Sequence, residues 1–275
     1  MSKIIISNRD KISGKRVDTT ESDKKFLNFM ALHEYIDEAG ANIIYERSKR
    51  KLWERLYKLI EYNYIDKSVA SLYEIVPNKK TKRINIFSLG SEGCSEFNIR
   101  KIKSIGKEGT SLRHALYIRR LCAALKMMES DNFEYQTEYI LDKFNNYLIN
   151  EFGNKHSIIY PDDDTKIKIR PDIYIDKYNI LLEVELSIKN KKRYAERLFW
   201  AQYMNGVSKT IWFVKDEKDK GRLMSIFSEL ENYSYVYYKG FNPQLISPDA
   251  IYKNPVWILD DFLENYKQNF TMLMK

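Results

Sequence analysis

Ile167-Lys168-Ile169-Arg170-Pro171-Asp172-Ile173-Tyr174-Ile175 and, four residues on, Ile180-Leu181-Leu182-Glu183-Val184-Glu185-Leu186 are the stretches whose reading decides the fold. Both alternate with a period of two, and Asp176-Lys177-Tyr178-Asn179 between them is turn-like, so they are predicted to pair as a hairpin. If Ile175 opposes Ile180, Asp172 falls across from Glu183 and Arg170 across from Glu185. The Ile, Leu and Val residues then share one face and Asp172, Glu183 and Glu185 the other, where directly paired side chains lie roughly 5 Å apart. Like charges that close raise one another's pKa and persist best around a shared cation. A hard divalent ion such as Mg²⁺ (or Mn²⁺), taking carboxylates, a backbone carbonyl and waters, suits such a patch. A plain cross-strand salt bridge between Arg170 and Glu185 on a wet sheet face accounts for the same residues, and spacing leaves both readings open.

Upstream of this hairpin the pattern is helical. Two helices, at about 111–129 and about 133–149, lead into it, with Leu112, Ala115, Leu116, Cys122, Leu125 and Met128 as a core stripe. Downstream come a helix carrying Arg193, Arg197, Gln202 and Tyr203, then Thr210-Ile211-Trp212-Phe213-Val214 as a strand. A helix at about 217–230, a strand at 233–238 and a last helix from about 260 close the chain.

The first part of the chain reads differently. Residues 1–21 are polar, with Lys3, Arg9, Lys11, Lys15 and Arg16, and are expected to form a flexible basic arm. A helix at about 23–38 carries Phe26, Phe29, Met30, His33 and Tyr35, with Ser22 available as cap and His33 expected in the core. Gly40 breaks the pattern, a short helix covers about 43–47, and Ser48 opens a third helix to about 63 with the stripe Leu52, Leu56, Leu59, Ile60. Lys49, Arg50, Lys51, Arg55 and Lys58 crowd that helix, where cations near its N-terminus oppose the helix dipole and so are not explained by local stability. An extended run Leu72–Val76 and a second, Ile84–Gly90, flank a turn with Lys79, Lys80, Lys82 and Arg83. Three helices followed by a basic-tipped hairpin is the order of a winged helix, whose third helix enters the major groove of double-stranded DNA.

Charge divides the same way. Residues 1–107 hold 22 Lys+Arg against 14 Asp+Glu, and residues 108–275 hold 24 against 24, so the whole excess of +8 lies in the first part. A basic domain followed by a balanced one suits a polyanion partner for the first, and a solvated Lys-rich surface gives the same arithmetic. Of the 275 residues 44% are apolar and 31% charged, with a mean hydropathy of −0.53, which excludes a disordered or membrane-spanning class. Only Ile4–Ile6 is apolar near the start, far short of a signal-peptide core, so a cytoplasmic location is expected. Two cysteines, Cys94 and Cys122, and three histidines exclude a disulfide framework and a Cys-rich zinc site, leaving oxygen ligands for any metal. Gly90-Ser91-Glu92-Gly93 lacks the Lys-Ser/Thr of a phosphate loop, and Asp162-Asp163-Asp164 reads as a solvated turn.

Pro171-Asp172, with Glu183-Val184-Glu185 eleven positions after the Asp, resembles the PD-(D/E)xK nuclease core. That resemblance implies Mg²⁺ held by Asp172 and Glu183, with Glu185 standing at the family's Lys position to position or deprotonate water. It implies a further acidic residue at Glu138, and a following helix whose Arg193, Arg197 and Gln202 contact substrate. The element order from residue 23 to 215, including a helix near His114, is similar to the replication-relaxation family of plasmids and other mobile elements. The expected fold class is therefore α/β (α+β): a winged helix-turn-helix domain over 22–107, after the 1–21 arm, followed by a restriction-endonuclease-like mixed-sheet domain over 108–275. The expected function is DNA binding with Mg-dependent endonuclease-like hydrolysis in plasmid replication, mobilisation or DNA processing, with a homodimer and replication or mobilisation proteins as further partners. The alternative, favoured by Glu185 in place of Lys, is a non-catalytic replication accessory factor or regulator whose second domain serves dimerisation or partner binding.

Overall fold

Thr20 and Asp23 open the first helix by capping each other. The Thr20 hydroxyl accepts the Asp23 backbone N–H, and the Asp23 carboxylate accepts the Thr20 N–H at 2.6 Å. The cap is therefore two residues earlier than Ser22, and α1 runs Glu21–His33 with Phe26, Leu27, Phe29 and Met30 buried. The computed structural model describes residues 18–72, 82–101, 110–128, 135–137, 157–159, 166–168, 171–198, 207–231 and 254–274. The basic arm expected over 1–21 lies outside them up to residue 17.

The single helix expected over 23–38 is in fact helix, strand, helix. At Glu34 the chain takes a positive φ of 70°, and β1 (Tyr35–Asp37) follows. Asp37 then caps α2 (Glu38–Tyr45) by accepting the Gly40 N–H at 3.0 Å. Gly40 does not break the chain. It sits in the first turn of α2, where a Cβ would lie 2.5 Å from Ile36. α3 (Lys49–Glu61) follows the predicted stripe, with Leu52, Leu56 and Leu59 buried.

β2 (Ile65–Leu72) and β3 (Lys82–Leu89) pair antiparallel from Ile65 opposite Leu89 to Leu72 opposite Lys82. The first strand of this hairpin thus begins seven residues before the extended run expected from Leu72, and Tyr73–Val76 lie outside the described residues. β1 adds to the other side of β3, giving the sheet order β1-β3-β2. α4 (Ser91–Phe97) follows, and Gly90 and Gly93 let it press on the chain at residues 63–64, where a Cβ would come within 2.3 Å of a carbonyl oxygen.

α5 (Thr110–Met128) corrects the domain boundary. It was expected to open the second domain at 108, yet the chain divides into Met1–Glu129 and Ser130–Lys275. Leu112 and Leu116 join Ala70 and Ile86 in one cluster, closing the sheet face opposite α3. Arg120 donates to both oxygens of buried Asp37, and Arg119 donates to the His33 carbonyl at 2.8 Å while lying 3.8 Å over the Tyr35 ring. With the boundary there, the first unit holds 26 Lys+Arg against 16 Asp+Glu and the second 20 against 22, a sharper segregation than before.

The second unit is built on a mixed sheet. β4 (Tyr135–Thr137), β7 (Ile173–Ile175) and β8 (Ile180–Glu185) run antiparallel in turn. β9 (Lys209–Val214) and β10 (Val256–Ile258) extend it in parallel, in the order β10-β9-β8-β7-β4. β5 (Ser157–Ile159) and β6 (Lys166–Lys168) form a separate pair. Residues 135–137, expected as helix, are an edge strand, because pairing with β7 outweighs local preference.

A helical link carries the chain between each pair of parallel strands. α6 (Lys191–Leu198) lies between β8 and β9, and α7 (Glu217–Glu231) between β9 and β10. Tyr194, Leu198, Trp212, Val214, Leu223, Phe227 and Leu230 form one apolar cluster of these helices on the sheet. The last helix expected from about 260 is broken at Asn265 into α8 (Leu259–Glu264) and α9 (Tyr266–Leu273). Residues 233–238 lie outside the described residues. The fold is mixed α/β, and among the described residues no helix is long and apolar enough to cross a membrane.

Candidate functional site: a buried acidic patch and a basic helix

The hairpin of β7 and β8 adopts the predicted register. Ile175 faces Ile180 and Ile173 faces Leu182, with a 3-10 turn at Asp176–Tyr178 closed by Asn179 at φ 52°. The same register continued one step sets Asp172 beside Glu183, and the Asp172 Oδ2 accepts the Val184 N–H at 2.7 Å. Alternation leaves Ile180, Leu182 and Val184 on one face and Leu181, Glu183 and Glu185 on the other, yet the first five of these residues are all buried. The acidic face is therefore covered rather than wet.

Its cover is cationic. Arg197, in the last turn of α6, donates from Nη1 to the Glu183 carboxylate in a very short contact. Lys189 places Nζ 3.4 Å from Glu185 Oε1. Burial is the main force on Glu183. It pushes the carboxyl well above the ordinary range, to about 8, with the charges of Asp172 and Glu185 adding and Arg197 opposing. Arg197 loses basicity to its own burial, but Glu183 and Asp172 more than restore it, and the guanidinium stays charged.

These positions decide how the expected metal fits. Asp172 accepts a backbone N–H, Glu183 holds Arg197 and Glu185 meets Lys189, and among the described residues no three His, Cys, Asp or Glu side chains gather to hold an ion. As arranged, Glu183 and Glu185 are matched by this chain's own cations, and a bound Mg²⁺ or Mn²⁺ would have to displace Arg197 or Lys189 from them. Glu138 and Gln202 lie outside the described residues, as does Arg170, so the salt bridge expected between Arg170 and Glu185 has no described counterpart. Arg193 is exposed on α6, while Arg197, grouped with it by sequence, turns inward. Lys189 was not singled out by sequence, and its only signal was its place four residues after Glu185.

On the first unit the basic residues separate. Lys49, Arg50 and Lys51 are exposed at the head of α3. Lys49 reaches Glu38 at 3.3 Å and Arg50 reaches Glu54 at 3.1 Å. Arg83 is exposed on β3, Lys82 is the first residue of that strand, and Lys79 and Lys80 lie outside the described residues. Arg55 does not stand with them. Its guanidinium grips fully buried Asp23 through Nε at 2.9 Å to both oxygens and Nη2 at 2.5 Å, and reaches the Asp18 carbonyl at 2.7 Å. Its position in the helix faces α1, so it holds the domain together instead of facing a ligand.

Comparison with family models, with curated proteins and with solved structures finds no match for this chain.

Proposed function

We propose that the chain binds double-stranded DNA through its first unit, with α3 entering the major groove and the β2-β3 hairpin lying alongside. One observation carries this reading. The elements run helix, strand, helix, helix, strand, strand around a β1-β3-β2 sheet, the order of a winged helix, and its third helix packs Leu52, Leu56 and Leu59 inward while presenting Lys49, Arg50 and Lys51 to solvent. The net charge of this unit supplies the attraction. In the second unit Arg197 and Lys189 hold the acidic patch closed, so the unit acts as a non-cleaving module for partner binding or self-association. The resemblance to the plasmid replication-relaxation family gives this binding its setting, the replication or mobilisation of a mobile element.

The test is salt. Log K should fall linearly with log salt by about 0.9 per phosphate neutralised, and reversing Arg50 and Lys51 to Glu should flatten the slope by about two phosphates' worth. A wild type that binds no duplex, or a slope the double variant leaves unchanged, removes α3 from the interface.

A second reading, Mg-dependent hydrolysis, is favoured by the register that brings Asp172 beside Glu183, with Glu185 two residues further along the same face of β8. Plasmid nicking with Mn²⁺ that is lost in Asp172→Ala would establish it. A wild type inert to plasmid, and whose melting temperature ignores Mn²⁺, would end it.

A further inference from the structure

On the flank of α3 that faces β2, two aromatic rings are left partly open. Tyr57 is 56% exposed, and Trp53, one turn earlier and half-buried, lies 5.2 Å from it. Lys67 of β2 hangs its ammonium 5.2 Å from the Trp53 ring centre and 5.8 Å from that of Tyr57. Val69, on the same strand face, is 54% exposed. Trp53 is fixed from beneath, its Nε1 donating to Glu38 at 3.0 Å and its ring meeting Phe87 edge-on at 5.7 Å. The platform is therefore anchored at the tryptophan and open at the tyrosine.

What fits it follows from its chemistry. Lys67 stands exposed beside the rings, and Glu54, next to Trp53 on α3, is engaged by Arg50. The ammonium asks for an anionic partner, and the rings ask for a flat apolar face. A DNA strand with unpaired bases offers both, whereas a base inside a duplex offers only its edge.

We propose that the Trp53–Tyr57–Lys67 face takes an unpaired base, with Tyr57 stacking on it and Lys67 meeting the adjoining phosphate, so that the protein prefers duplex DNA interrupted by a single-stranded gap. The proposal rests on the DNA-binding reading and narrows it to a junction.

The experiment measures full-length protein against a blunt duplex and against the same duplex interrupted by a short oligothymidine gap. Wild type should hold the gapped DNA at least about fivefold more tightly, the low end of what one base–aromatic stack contributes. Tyr57→Ala should abolish that preference and leave blunt-duplex affinity within about twofold. Tyr57→Phe should retain it, because stacking needs the ring and not the hydroxyl. If Tyr57→Ala does not fold, Tyr57→Leu carries the same expectation. Equal wild-type affinity for the two DNAs overturns this proposal alone, as does an equal loss on both DNAs in Tyr57→Ala. Failure to bind either DNA overturns the duplex reading with it.

Discussion

Two buried guanidinium–carboxylate pairs, Arg55 with Asp23 in the first unit and Arg197 with Glu183 in the second, share their chemistry and differ in their surroundings. Asp23 is met by donors from every side: Arg55, the Thr20 hydroxyl and N–H, and the Tyr45 hydroxyl at 2.7 Å. Burial alone would raise its pKa, but the hydrogen bonds from Arg55, Thr20 and Tyr45 outweigh burial and hold it below the usual range. Glu183 has Arg197 as its one charged partner among the described contacts, with Asp172 and Glu185 pressing on it as like charges, and its pKa goes up. Counting ion pairs would rank the two as equals. The donors and charges around each make the first a fastening of α1 to α3 and the second a crowded patch.

The largest test breaks the first pair. Arg55→Ala leaves Asp23 buried without its main cation, and should cost about 3–5 kcal/mol in denaturant unfolding. The sign with pH follows from the lowered pKa. The pair's stabilisation is fully present above the unfolded Asp value of about 3.9 and is lost as pH falls through the lower folded value, so the cost should hold steady above about pH 5 and shrink in acid. A cost that persists unchanged at pH 2 would mean that Arg55 matters for packing alone.

The second pair should yield less. Near pH 6 the folded state keeps Glu183 protonated, so Arg197→Ala removes one strong hydrogen bond and should cost about 1–3 kcal/mol. Its pH trend is opposite to that of Arg55→Ala. In the wild type the Glu183 charge appears near pH 8 and gains Arg197 as partner, so the cost should grow above that pH. Unfolding curves at pH 6 and pH 9 compare the two directly, and a cost independent of pH would place a charged Glu183 in the pair throughout.

The smallest effect sharpens the contrast from the other side. Asp172→Asn keeps an oxygen for the Val184 N–H and removes a like charge from beside Glu183. It should change stability by no more than about 1 kcal/mol and lower the Glu183 titration midpoint, read from its side-chain carboxyl resonance. A midpoint that stays put would separate the two carboxylates electrostatically.

The parts of this molecule that were legible in its sequence are those set by local periodicity. A four-residue turn and a period of two fixed the β7-β8 register, and with it the placement of Asp172 beside Glu183. The 3.6-residue stripe of Leu52, Leu56 and Leu59 fixed the inner face of α3. Where pairing partners lie far apart in the chain, the pattern was silent or misleading. Tyr35–Asp37 is a strand only because β3, some fifty residues on, is there to pair with it, and Tyr135–Thr137 is a strand only because of β7. α5 belongs to the first unit because Asp37 and the His33 carbonyl bind its arginines, which no helical period announces. Trp53 and Tyr57 could have been noticed from their spacing of four, but only the position of Lys67 on β2 makes them a platform.

The sequence by itself determined the basic first part, the hairpin register and the amphipathic helices, because charge and local period are properties of short stretches. Tertiary structure alone decided that, of the arginines grouped as contacts for DNA or substrate, Arg55 closes on Asp23 and Arg197 on Glu183 while Arg50 and Arg193 stay exposed. An arginine's charge reads the same at every position, and whether it faces solvent or a buried carboxylate depends on which helix packs opposite it.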